Sequence, residues 1–169
     1  MAEVCEVRAL TGADLDALCG VRDDRALHAQ RLQEQTQGLI RYFGAFVRGQ
    51  AAGFVLLVQR NKADVMPYTG GARCLDMTDL YVREKLRGQG IGTSLIAAAE
   101  EACLAQGVRY LGLDVNPADN ADAQALYAHL GYHAVGTLHL DGTYPSKDVH
   151  GNDTVYEDWC IDMVKELRG

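Results

Sequence analysis

Apolar positions along the chain fall into two rhythms, one of period two and one near 3.6, with polar or glycine-rich breaks between them. Residues 4–9 (VCEVRA) alternate weakly and read as an opening strand. Thr11 then stands three residues before Asp14, with Leu15 and Leu18 following, which predicts a capped start to a first helix. Residues 24–37 are polar and free of glycine, with Leu27, Gln30, Arg31 and Glu34 at helical spacing, and predict a second, more exposed helix. Residues 40–48 (IRYFGAFVR) and 52–60 (AGFVLLVQR) are rich in aromatic and branched side chains and are separated by Gly49-Gln50, the pattern of a β-hairpin. Residues 61–72 read as a loop and 73–82 (RCLDMTDLYV) as a strand. A glycine-rich segment leads into a helix over 91–106, with Ile91, Leu95, Ala98, Ala102 and Cys103 on one face and Gly107 at its C-terminal stop. A strand over 108–115, a helix over 119–130 closed by Gly131, and a strand over 132–139 follow. Residues 141–153 read as a long polar loop and 154–164 (TVYEDWCIDMV) as the last strand.

The order is therefore β-α-α-β-β-β-α-β-α-β-β. A three-strand meander, one β-α-β crossover and a closing hairpin cannot make a purely parallel sheet. They suit an α/β (α+β) fold with a single mixed, mostly antiparallel sheet of six to seven strands, flanked by about four helices. At 169 residues the chain is one domain's worth, taken here as a single domain over 1–169.

Composition narrows the function. Apolar residues make up 48% and charged residues 23%, as in ordinary globular proteins. No apolar run approaches the roughly 20 residues of a membrane helix, and the N-terminus lacks the apolar core of a signal peptide, so no membrane partner is expected. With 23 acids against 16 bases the net charge is −7, which argues against nucleic acid and for a cationic small molecule. Five widely spaced cysteines with no CxxC pair, and five histidines with no HxxxH or HExxH spacing, give no metal site; they predict free thiols in a reducing, cytoplasmic setting.

The chemistry concentrates in Arg87-Gly88-Gln89-Gly90-Ile91-Gly92-Thr93, between the apolar strand Leu80-Tyr81-Val82 and an amphipathic helix. Glycines there admit a close backbone approach. The helix's first N–H groups, backed by its dipole, make an anion site suited to a pyrophosphate. A P-loop needs GxxxxGK[ST], and no lysine follows Gly92. A dinucleotide fingerprint needs glycine where Thr93 stands. A glycine turn with no ligand is the remaining plain reading.

Arg87-x-x-Gly90-x-Gly92 resembles the [RQ]-x-x-G-x-[GA] signature of the GNAT superfamily of acyl-CoA-dependent N-acetyltransferases. Asp79-Leu80-Tyr81-Val82 resembles the family's preceding strand. Leu113-Asp114-Val115-Asn116, Asn120, Ala125-Leu126-Tyr127 and Leu130-Gly131-Tyr132 resemble its second signature, and Met163-Val164-Lys165-x-Leu167 its terminal strand. The likeness covers about residues 40–167.

The resemblance implies acetyl-CoA as co-substrate, without a metal. It implies pyrophosphate contacts from Arg87, Gly88, Gln89, Gly90, Ile91, Gly92 and Thr93, and a pantetheine arm along Leu80, Tyr81 and Val82 in a gap between splayed strands. Asn120 and Asn116 are implied as further contacts, Asn116 alternatively serving only to end its strand. Tyr127 is implied against the cofactor and as the acid that protonates the leaving thiolate. Asp79 is taken as the base, with Asp76 or a chain of waters as alternatives. The expected reaction is direct attack by the primary amine of a small cationic molecule in a ternary complex. A protein or peptide N-terminus or lysine is the alternative acceptor, and a non-catalytic acyl-CoA sensor a further reading. Residues 11–38, 61–72 and 141–153 are implied as walls of the acceptor site, with Asp141, Tyr144, Asp148, Asp153, Tyr68 and Trp159 as candidate lining. Homodimers occur among similar proteins.

Overall fold

Strand propensity and burial on both faces go together in the centre of this chain. The structure, a computed structural model, describes residues 3–168. Strands β1 (Cys5–Ala9), β2 (Ile40–Val47), β3 (Gln50–Val58), β4 (Cys74–Val82), β5 (Tyr110–Val115), β6 (His133–Lys147) and β7 (Asp153–Glu166) form one sheet in the order β1-β2-β3-β4-β5-β7-β6. Every neighbouring pair is antiparallel except β4–β5. The helices are α1 (Leu15–Val21), α2 (Arg25–Thr36), α3 (Ile91–Ala105) and α4 (Ala121–His129). The mixed, mostly antiparallel sheet and the four helices agree with the sequence reading.

β2 and β3 read as near-continuous apolar runs because both of their faces are covered. Phe43, Ala45, Val55 and Leu57 join the core under α3, with Leu95, Ile96, Ala99 and Cys103. Tyr42, Phe46, Phe54 and Leu56 join a second core under α1 and α2, with Leu18, Val21 and Leu32. The start of α1 follows the predicted cap: the Asp14 carboxylate accepts from Thr11 N–H at 2.8 Å and is paired with Arg8 at 2.8 Å. At the α1–α2 corner the fully buried His28 bridges the Tyr42 hydroxyl and the Arg22 carbonyl, both at 2.7 Å.

Two local readings are corrected. The β2–β3 turn is Arg48-Gly49, both at positive φ (51° and 76°), one residue earlier than Gly49-Gln50. Residues 141–147 are strand, so the turn between β6 and β7 shrinks to 148–152. The far half of this ribbon is wet on most positions, so its residues carry no apolar alternation to read. Asp148 is spent on that turn, accepting from His150 N–H (2.8 Å) and Asn152 N–H (2.9 Å), and Asp153 pairs with Lys147. The predicted loop 61–72 contains a short 3-10 turn over Ala63–Tyr68.

Candidate active site

The parallel pair β4–β5 is short. It comprises only Cys74 with Tyr110, Leu75 with Leu111 and Asp76 with Gly112. Beyond Asp76 the two strands part. The main-chain edge of β4 from Met77 to Val82 therefore faces an opening rather than a neighbouring strand. On its other side β4 carries an extra residue against β3, between the pairs Leu56–Thr78 and Phe54–Tyr81. This bulge holds Asp79 at φ +49°, a left-handed conformation that few side chains adopt without support.

The support comes from the first two helices. Arg22, just past α1, grips Asp79 with two parallel bonds (3.1 and 2.8 Å), and Arg31 of α2 reaches the same carboxylate at 2.6 Å. Both guanidinium groups also lie over the Phe54 ring, at 5.1 and 5.8 Å, and Phe54 stacks on Tyr81. Burial would raise the Asp79 carboxyl, but the two arginines outweigh it and hold it below the usual carboxylate range. A carboxylate with its lone pairs so engaged is a poor proton acceptor, and the role of base foreseen for Asp79 does not suit it. Asp79→Asn is accordingly expected to cost about 2–4 kcal/mol of stability in chemical denaturation, because Arg31 is left mostly buried without a counter-ion. It is expected to leave the acid limb of any pH–rate profile in place; loss of that limb with unchanged stability would restore Asp79 as the base.

Beyond β4 the chain enters the glycine turn. Gly88 (φ +76°) and Gly90 (φ +84°) both take left-handed conformations, and Gly90 caps the N-terminus of α3. This leaves the first N–H groups of α3 without intrahelical partners. Arg87 Nε donates to the Val82 carbonyl at 2.9 Å, which pins its guanidinium beside the turn and over the Tyr81 ring at 5.4 Å. Gln89 and Thr93 are exposed beside it, and Gly92 lies 3.9 Å, by its hypothetical Cβ, from Leu80 and Val82. The Ile91 side chain is buried in the core, as its place on the apolar face of the helix predicts, which leaves its main chain as the part available to a ligand.

The opening between β4 and β5 widens into a cleft of about 510 Å³. It is lined by Leu80, Leu113, Asn120, Ala123 and Tyr127 together with Asp76, Asp79, Asp114, Asp141, Asp158 and Tyr144. No arginine, lysine or histidine is among its described lining residues. Tyr127 is buried, and burial keeps its phenol protonated above the usual range. Asn120 stands at the N-terminus of α4, makes no side-chain bond to the helix and is among the lining residues of the cleft. Asn116 is otherwise committed. Its Nδ2 donates to the Tyr156 hydroxyl (2.8 Å) and Asp158 (2.7 Å), and its Oδ1 accepts from Ala118 N–H (3.0 Å). It ends β5 and shapes the start of α4, the alternative role read from the sequence, while still lining the cleft. Tyr68 and Trp159 are not among the lining residues; Trp159 donates to Glu157 at 3.0 Å instead.

Asp76, the alternative base read from the sequence, belongs to a group that sequence reading missed. Lys62 Nζ stands 2.5 Å from Asp114, 3.2 Å from Asp162 and 3.5 Å from Asp76. Its side chain is 8% exposed. Burial lowers the ammonium's proton affinity, but the three carboxylates outweigh burial and raise it. Burial, partly offset by Lys62, pushes Asp76 up to about 6. Asp162 is likewise pushed up to about 6 by burial and by its bond with Asp114, whereas Asp114 is held low. The signal was present in the chain: Leu75-Asp76-Met77, Leu113-Asp114-Val115 and Ile161-Asp162-Met163 each place one acid inside an apolar strand.

A family model described as the acetyltransferase (GNAT) family matches residues 10–132. Among solved structures, a ribosomal-protein-alanine N-acetyltransferase from Brucella melitensis is 22% identical, with a TM-score of 0.68, covering 96% of this chain and 99% of its own. A PaiA N-acetyltransferase from Thermoplasma acidophilum, in complex with coenzyme A, is 19% identical, with a TM-score of 0.69 and coverage of 97% and 99%. A phosphinothricin acetyltransferase from Sinorhizobium meliloti, in complex with acetyl-CoA, is 20% identical, with a TM-score of 0.68 and coverage of 99% and 89%. At these identities the likeness is one of fold. No curated protein matches the chain in sequence.

Proposed function

As the chain belongs to the acetyltransferase (GNAT) family, we propose that it moves an acetyl group from acetyl-CoA to the primary amine of a small cationic molecule, by direct attack in a ternary complex. The observation that carries this reading is the meeting of two features in one opening. The open strand edge of β4 runs on into the glycine turn, and the cleft beside it is lined by five aspartates and by no described lysine, arginine or histidine. The pyrophosphate is assigned to Arg87 and the N–H groups from Gly88 to Thr93, and the pantetheine arm to the β4 edge at Leu80, Tyr81 and Val82. Asn120 is assigned as a further contact.

An alkylamine of pKa about 10.4 is almost wholly protonated at pH 7, which costs about 4–5 kcal/mol before attack. The amine must therefore lose a proton to a cleft carboxylate or to water. Alignment of amine and thioester lowers the barrier further. As nitrogen adds to the carbonyl carbon, the oxyanion is met by main-chain N–H groups freed at the bulge. The carbon–sulfur bond then breaks, and the thiolate takes the proton of the Tyr127 phenol, which regains one from the tetrahedral nitrogen. The test is release of coenzyme A thiol across a panel of diamines, amino acids and aminated sugars. Tyr127→Phe is expected to lower kcat about 100-fold while leaving acetyl-CoA affinity within about twofold. A wild type that binds acetyl-CoA yet releases thiol with no amine would make it a sensor instead.

A protein N-terminus is the second acceptor class, supported by the Brucella neighbour, whose name states that it acetylates a ribosomal protein. Peptides turned over as fast as free amines would select it. No described helix is long and apolar enough to cross a membrane, and the five cysteines are unpaired, which supports a reducing, cytoplasmic setting.

A further inference from the structure

Lys62 and its three aspartates have more to do than hold strands together. In sheet register Asp114 of β5 stands directly opposite Asp162 of β7, a pairing of like charges that a purely structural design avoids. Asp76 enters from β4, and Lys62 from the loop ahead of the 3-10 turn. One oxygen of each carboxylate lies within 3.5 Å of the ammonium, yet those three oxygens find no directed hydrogen bond. Asp162 is 8% exposed. With all four groups ionised the cluster would carry three negative charges against one positive charge, with Lys62 and Asp162 mostly out of water. Such a cluster retains a proton until pH approaches neutrality, and the proton belongs to the group as a whole.

The arrangement also has two ends. Asp76 and Asp114 face the cleft. Asp162, which is not among the lining residues, stands 3.8 Å from the partly exposed His139 of β6, whose ring also comes within 4.8 Å of Asp114 and Asp141. Besides its own four members, the charged and titratable groups around the cluster are Cys74, His139, Asp141, Asp158 and Cys160.

We propose that this cluster is the proton acceptor of the acetyl transfer: Asp76 takes the proton that the substrate ammonium must lose, Lys62 and Asp114 set how tightly it is held, and Asp162 and His139 pass it to solvent. The assignment rests on the acetyltransferase reading given above. The balance is simple. The substrate R–NH3+ gives one proton to a cluster carboxylate and becomes R–NH2, whose nitrogen forms the new bond to the acetyl carbon. The departing sulfur is protonated through Tyr127, so one proton per turnover leaves by the cluster. Lys62 keeps the cluster from holding that proton too tightly. The near-neutral position of Asp76 and Asp162 accords with this use.

The test joins two measurements on the whole protein. Carboxyl signals of 13C-labelled aspartate are followed from pH 4 to 8, and kcat/KM is measured over the same range with an amine that the panel shows to be accepted. In the wild type a cluster carboxyl should titrate near 6, and the acid limb of kcat/KM should coincide with it. Asp162→Asn removes one like charge, so both should move to lower pH together. A structural role alone would lower the melting temperature and leave the limb unmoved. Asp76→Asn, which does not depend on that variant folding, should lower kcat/KM about 100-fold. The proposal is overturned if all three aspartates titrate below about 4.5, or if the limb stays fixed in Asp162→Asn. Absence of turnover with every amine overturns it together with the reading beneath it; turnover with an unmoved limb overturns the relay alone.

Discussion

Arg87→Ala/Gly90→Ala is expected to bind acetyl-CoA about 100- to 1,000-fold more weakly than the wild type in calorimetry, with the fold retained. Two effects combine. Alanine at φ +84° costs about 1–2 kcal/mol, or else shifts the N-terminus of α3 away from its anion-ready geometry. Loss of a charge-assisted hydrogen bond from Arg87 costs about 1.5–3 kcal/mol. Together they amount to roughly 2.5–5 kcal/mol, about two to four decades in affinity, and the expected loss lies in the lower half of that span. The variants touch no core contact: a Cβ at Gly90 meets nothing within 4 Å, and Arg87 is exposed. Circular dichroism should therefore be unchanged. Equal affinity in the double variant would mean that the turn does not hold the pyrophosphate.

Lys62→Met should have the largest effect on stability. It removes the one cation shared by Asp76, Asp114 and Asp162 and leaves their charges buried together. Breaking such a group typically costs about 3–5 kcal/mol. The pH dependence identifies the cause. Asp76 and Asp162 sit at about 6 in the folded protein, above the value near 4 of an unfolded chain. The folded state therefore takes up protons first as pH falls from about 6 to 4, and their contribution to stability grows through that window and is lost as pH rises. Without Lys62 the same protons matter more, so the deficit should be greatest at pH 8 and shrink by pH 5 in urea unfolding. A deficit that grows on acidification would contradict the charge account.

What the sequence makes legible depends on the range of the interaction. The Arg87–Thr93 turn is local: its glycines, its helix and its preceding strand are neighbours in the chain, and the structure brings them together as read. The strands with a buried face are legible for the same reason. The far end of the β6–β7 ribbon is not, because strand pairing without a buried face leaves no period in the residues. Asp79 shows the harder case. It is correctly placed on the strand entering the site, but its partners Arg22 and Arg31 lie about fifty residues away. Their convergence depends on a bulge that single-strand alternation cannot report. Asn116 is similar, since its donors go to Tyr156 and Asp158 on β7. The Lys62 cluster stands between these extremes. Three strands each repeat an acid flanked by apolar residues, which declares buried charge, but the lysine that answers it sits in a loop of no evident pattern.

The three-rung seam between β4 and β5 divides the sheet into two leaves, β1–β4 on one side and β5, β7 and β6 on the other. Backbone bonds elsewhere in the sheet run in longer ladders, so this seam is its weakest line. An extended ligand arm pairing along the open edge of β4, as proposed for pantetheine, would act there as a splice, restoring continuity where the polypeptide leaves a break. The mechanical cohesion of the folded protein would then be set in part by how much of that ligand its surroundings supply.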